Sequence, residues 1–189
     1  DVAIAMYQRA ISIDLEHHTY HTAPFRTRLV DALVEKGDVL YHKGDLNGAI
    51  VSYKQALSTN SKHVEAHHNL GRVLMKKGDL DGAISSYKRA ISIDPKHAES
   101  YTDLGLALES QGDVDGAIVA YQQALSLDPN YANAHCNLGN ALKMKGAECA
   151  IASYQRAVSC DPNDSDHHFN LGIVLYEKGD LDGAIASYK

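Results

Sequence analysis

The sequence has little in it that performs chemistry. Its three cysteines, Cys136, Cys149 and Cys160, are odd in number and form no C-x-x-C pair. That usage suits a reducing setting, so an intracellular protein, most simply a cytoplasmic one, is expected. A basic excess is missing as well: 18 Lys and Arg stand against 24 Asp and Glu, a formal net charge of -6. Phosphate backbones need a basic stripe, so no nucleic-acid partner is expected. No apolar run approaches the length of about 18 residues that a membrane span needs, and no charged-apolar-small leader occurs. Membrane insertion is therefore not expected. Gly-x-Gly-x-x-Gly, a nucleophile elbow and His-Glu-x-x-His are all absent, and Gly-Lys never occurs. These absences leave no catalytic residue and no cofactor site. Hydrophobic content of 44% is that of a folded chain.

What the sequence does have is a period. Gly44, Gly78, Gly112, Gly146 and Gly179 fall 34, 34, 34 and 33 residues apart. Gly37, Gly71, Gly105, Gly139 and Gly172 stand seven residues ahead of them, and Gly48, Gly82, Gly116 and Gly183 make a third column. Together the columns hold all 14 glycines. Tyr53, Tyr87, Tyr121, Tyr154 and Tyr188 keep the same spacing, and Pro95, Pro129 and Pro162 each follow an Asp. A fixed period of this length marks a stack of repeated units.

Each unit reads as two helices. Leu70, Val73 and Leu74 recur at three and four residues, the spacing of one buried face. Gly71 inside that helix costs about 1 kcal/mol relative to Ala. Its recurrence in every unit predicts that a neighbouring helix passes too close for a Cβ. Gly78 fits a left-handed C-cap, and Asp79 or Asp81 fits the start of the next helix. Ala83, Ile84, Tyr87, Ala90 and Ile91 then share one face, and Asp94-Pro95 ends the helix because proline disfavours helix in the residue before it. The fold class is all-α, built of antiparallel helix pairs, with the tyrosine column filling the core between them.

The unit resembles the tetratricopeptide repeat. The matching positions are His67, Leu70, Gly71, Leu74, Ala83, Tyr87, Ala90 and Pro95 in one unit, and Tyr101, Leu104, Gly105, Leu108, Ala117, Tyr121, Ala124 and Pro129 in the next. The resemblance implies a right-handed superhelical solenoid whose concave groove is lined mainly by first helices. It divides the chain into the second helix of a truncated repeat over 1–17, an insertion over 18–29 and repeats over 30–63, 64–97, 98–131 and 132–164. The last of these has a one-residue deletion at Ala147-Glu148-Cys149, and a truncated repeat follows over 165–189. The insertion, with Pro24 and Phe25, reads as a loop and then a first helix lengthened at its N-terminus. Lys36 replaces a leucine there, which predicts loose packing or another register. Neither end shows the polar unit that covers the last apolar face of a repeat array, so a piece of a longer protein is expected.

The eleven histidines invite a metal reading at His63-x-x-x-His67 and His17-x-x-x-His21, where the spacing suits ligands. The period gives a better account. His67, His135 and His168 share a column inside the helix pairs, and His17, His63 and His97 share one at the junctions. No metal site is expected. Asp79-Leu-Asp-Gly82 lacks the further acidic ligands of a calcium loop and reads as helix capping.

One polar column stands beside buried leucines in every unit: Glu35, Asn69, Asp103, Asn137 and Asn170. The resemblance places it on the groove, where side-chain amides can donate to and accept from a peptide backbone. Glu65, Glu99 and Asp166, with Asp31 and Asn133 in the same column, add negative potential, and Arg72 and Asn140 complete the candidate groove set. Such a groove favours a neutral or basic segment of a partner protein. Family members that grip the carboxylate tails of chaperones use Lys, Arg and Asn on successive first helices. Here Val34, Glu65 and Asp103 stand at such positions, with Arg72 the main exception, so tail binding is not expected.

The segment from Tyr131 to Gly146 is similar to repeats in the N-terminal arrays of O-GlcNAc transferases, where an asparagine ladder holds substrate proteins and a separate domain transfers the sugar. Three functions follow: a scaffold that holds an extended peptide in its groove, the noncatalytic recruiting arm of a larger glycosyltransferase, or a subunit that self-associates through uncapped repeat ends.

Overall fold

A computed structural model describes residues 2–17, 22–146 and 149–189. Every regular element among them is a helix. The chain divides into two compact units, Asp1–Pro95 and Lys96–Lys189.

The first unit holds α1 (Val2–His17), α2 (Thr22–His42), α3 (Leu46–Thr59), α4 (Val64–Lys76) and α5 (Leu80–Ile93). Helices α2 and α3 form one pair, α4 and α5 the next, and α1 packs on α2. At 21 residues α2 is the longest helix described. Residues 22–29 are its opening turns, with Pro24 near the start, where a missing N–H costs no helical bond; residues 18–21 lie outside the described set. Leu29, Val30, Leu33, Ala56 and Ala66 form the core between these helices, with Ile4, Tyr7 and Ile11 of α1 packed on it.

The expected loosening at Lys36 does not occur. The neighbouring Gly37 lies against Tyr53 as Gly71 lies against Tyr87, so the register is that of the other pairs. Leu29, Val30 and Leu33, each at most 5% exposed, hold the helix in place.

The second unit holds α6 (Ala98–Gln111), α7 (Val114–Leu127), α8 (Ala132–Met144), α9 (Ala150–Cys160), α10 (Ser165–Glu177) and α11 (Leu181–Ser187). They pair as α6 with α7, α8 with α9 and α10 with α11. Helix α9 begins without a side-chain cap at Cys149, the position that follows the deletion; Ala147 and Glu148 lie outside the described residues.

The glycine columns have distinct physical causes. Gly78 takes φ +81°, where a Cβ is strained, and its unit closes α4 with Asp79 N–H donating to the Leu74 carbonyl at 2.9 Å. Asp79 then caps α5 by accepting from Gly82 N–H at 3.0 Å, which gives its carboxylate a structural task. Gly71 meets a side chain rather than a neighbouring backbone: a Cβ there would lie 2.6 Å from Cε1 of Tyr87. The tyrosine ring of each second helix thus occupies the hollow that the glycine of its partner helix leaves. Tyr53, Tyr87, Tyr121 and Tyr154 are all buried.

The histidine columns serve the backbone. Nε2 of His67, His135 and His168 lies 2.9–3.0 Å from the carbonyl oxygens of Ser61, Pro129 and Pro162, six residues earlier. A carbonyl only accepts, so each ring donates there and pins the turn that precedes its helix. His63 and His97 cap α4 and α6 through Nδ1, which accepts from the N–H of Ala66 and Ser100. The side chains of His17 and His21, the other histidine spacing, lie outside the described residues.

Candidate interaction site

The candidate residues sit on the first helix of each pair; in α4, α6, α8 and α10 the polar column lies one position before a buried leucine, and in α2 Lys36 takes that place. In the first unit Glu35 and Glu65 are exposed and Asn69 is half-buried. Asn69 is not simply presented to solvent. Its Nδ2 donates to Oδ1 of Asp38 at 3.0 Å, and the same oxygen accepts from the Tyr53 hydroxyl at 2.6 Å. Asp31 and Glu65, on successive first helices, both lie beside the His63 ring, at 3.9 and 3.5 Å. Arg72 is placed over the Tyr41 ring, 5.3 Å from its centroid, and Lys76 shares that ring at 4.7 Å. Both are close enough for a cation–π attraction of about 0.5–1 kcal/mol.

In the second unit Asp103, Asn137, Asn140, Asp166 and Asn170 meet around one open cleft of about 330 Å³. Tyr131, Asn133, Cys136, Asp164 and His167 complete much of its wall, and no Lys or Arg lines it. Asn170 donates through Nδ2 to Sγ of Cys136 at 3.3 Å, reaching back to the preceding first helix as Asn69 does. Asn140 accepts the Tyr154 hydroxyl at 2.7 Å, so its amide N–H groups remain as its capacity toward a ligand. Glu99 acts at a distance, through Tyr131. Burial pushes the Tyr131 hydroxyl above its ordinary value of 10.0, and Glu99, Asp103 and Asp128 push it the same way. Burial likewise raises the Cys136 thiol, Asn170 opposes that, and Asp164 and Asp166 add to it. A thiol held neutral is no nucleophile at neutral pH.

Sequence reasoning missed Asp38, Tyr131, Cys136, Asp164 and His167. A signal existed for the last. His167 stands in the column of Ala66, Ser100 and Ala134, so a bulky polar ring replaces a small buried residue.

The TPR repeat model matches residues 37–78, 71–112 and 107–146, and the tetratricopeptide repeat model matches 153–186. The chain belongs to the tetratricopeptide-repeat family. With that family goes a general role in protein interaction. Among solved structures, the crystal structure of MamA is 33% identical, with a TM-score of 0.72, covering 80% of this chain and 90% of MamA. PilF of Pseudomonas aeruginosa is 22% identical with a TM-score of 0.80, covering 86% of this chain and 75% of PilF. YrrB, described as a TPR protein with an unusual peptide-binding site, is 20% identical with a TM-score of 0.66, covering 94% and 88%. At those identities the likeness to PilF and YrrB is one of fold. Comparison with curated proteins finds no match. No described helix of these TPR units is long and apolar enough to cross a membrane.

Proposed function

We propose that this TPR chain is a noncatalytic interaction module that holds an extended, neutral or basic segment of a partner protein on its first-helix face. The observation that carries the reading is the convergence of Asp103, Asn137, Asn140, Asp166 and Asn170 on one cleft. Amides supply donors and acceptors for a peptide backbone of any sequence, and the carboxylates supply charge selection. In the first unit Asp31, Glu35, Glu65 and Asn69 offer the same chemistry, with Arg72 drawn aside onto Tyr41. YrrB has a peptide-binding site on the same fold, which makes the fold suitable for the task.

The test is capture from native extract with the chain and with an Asp103→Asn, Asn137→Ala variant of equal helicity by circular dichroism. Partners held by the first and lost by the second are expected. Retention of every partner by the variant would move the interface off this face and overturn the reading.

A further inference from the structure

The cleft of the second unit has a neighbour. A second recess of about 300 Å³ is lined by Asn140, Lys143, Met144, Tyr154, Asn170 and Ile173, so Asn140 and Asn170 form the wall between the two. The two recesses differ in chemistry. The first has Asp103, Asp164 and Asp166 in its wall and no cationic residue. The second offers the apolar surfaces of Met144, Ile173 and the Tyr154 ring, and its one cation, Lys143, is paired to Glu177 with Nζ 2.8 Å from Oε1.

A second feature marks the first recess as unfinished. His167 is 3% exposed and lines it, and its Nδ1 has no hydrogen-bond partner among the described residues. Its Nε2 faces Oδ2 of Asp164 at 3.8 Å. With the ring proton on that side, Nδ1 is an acceptor, and a buried acceptor without a donor is costly. A cation seated in the cleft would meet the negative potential of Asp103, Asp164 and Asp166, beside this buried imidazole.

Resting on the peptide reading above, we propose that the second unit recognises a two-residue signature: a Lys or Arg seated by Asp103, Asp164 and Asp166, and an apolar side chain seated on Met144 and Ile173. Side chains of an extended segment alternate between its faces, so anchors on one face stand an even number of residues apart, and two recesses that share a wall call for the shortest step, two residues or about 6.6–6.8 Å along the strand. The Asn140 and Asn170 amides lie between the seats, where the intervening peptide unit passes.

The test is selection of displayed random peptides on the whole chain, followed by affinity measurements with the enriched sequences. Enriched peptides are expected to share a Lys or Arg two residues from an apolar residue. Changing that cation to Glu should weaken binding about tenfold or more, and Asp103→Asn or Asp166→Asn should each weaken it severalfold, less so at high salt. Met144→Glu, at a residue 63% exposed and so harmless to folding, should weaken only peptides that carry the apolar anchor. Enriched peptides without a cation, whose binding is nevertheless lost on Asn137→Ala, would overturn the signature and leave the groove reading standing. No enrichment, or binding unchanged by all these variants, would overturn both.

Discussion

Asn69 on α4 donates to Asp38 on α2, one repeat earlier, at 3.0 Å. The same carboxylate oxygen receives the Tyr53 hydroxyl from α3, so three helices meet at a single atom. Asn69 therefore ties the first helices of two neighbouring pairs together. Asn170 repeats the relationship with Cys136 on α8.

A difference between ladder positions follows. Asn69→Ala removes a hydrogen bond to a charged acceptor and should cost about 1.5–3 kcal/mol. Asn137→Ala, at a position with no side-chain bond described, should stay within about 0.5 kcal/mol of the parent. Urea unfolding followed by circular dichroism measures both; equal losses would mean that the inter-repeat bond carries no weight.

The two glycine columns should fail for different reasons. Gly78→Ala forces a Cβ into left-handed backbone and should cost about 1–2 kcal/mol. Gly71→Ala drives a methyl into the Tyr87 ring and should cost about 1–3 kcal/mol. Gly71→Ala should cost less in a Tyr87→Leu background than in the parent, whereas the cost of Gly78→Ala should be the same in both, as double-mutant comparison of unfolding midpoints would show.

Exposure sets what a tyrosine is worth. Tyr87 is 1% exposed and Tyr188 is 50% exposed, although they occupy the same column. By analogy with buried phenylalanine, Tyr87→Ala should lower stability by about 3–5 kcal/mol. Tyr188→Ala should cost a small fraction of that. Thermal unfolding of the two variants side by side is the check.

Alkaline pH should weaken the fold before the peptide bond or the helices themselves respond. Burial raises the hydroxyls of Tyr53 and Tyr121, and hydrogen bonding or charge from Asp38 and Glu109 adds to it. Tyr154 is pushed from 10.0 up to about 12, chiefly by burial. The folded state then holds these protons more tightly than the unfolded chain does. Their contribution is whole below pH 10 and is lost as pH rises through the folded value, for Tyr154 between about 10 and 12. Ultraviolet titration should show exposed tyrosines ionising first and the buried column only as helicity falls; ionisation of every tyrosine near 10 with helicity intact would contradict the packing.

Much of the fold was legible because the repeat makes each position a column. Gly78, Asp79, Pro95 and Tyr87 each act through bonds or packing within their own helix pair, so local pattern was enough to place them. Lys36 shows the limit: its chemistry argued for a shifted register, yet Gly37 against Tyr53 held the helix in line. The site was legible only as a list of polar positions on a face. That Asp103, Asn137, Asn140, Asp166 and Asn170 enclose a single volume depends on side chains from three first helices.

The sequence by itself determined the helix pairs, their glycine and aspartate caps and the crowding at the helical glycines, since those follow from backbone conformation and from a pattern repeated every 33 or 34 residues; that the crowding group is a tyrosine ring came from the structure. Only the tertiary structure decided how each amide is spent. Asn69 finds Asp38, Asn170 finds Cys136, and Asn140 receives Tyr154. These partners break the period, because a hydrogen bond depends on the particular atom that packing brings within about 3 Å and not on the column a residue occupies.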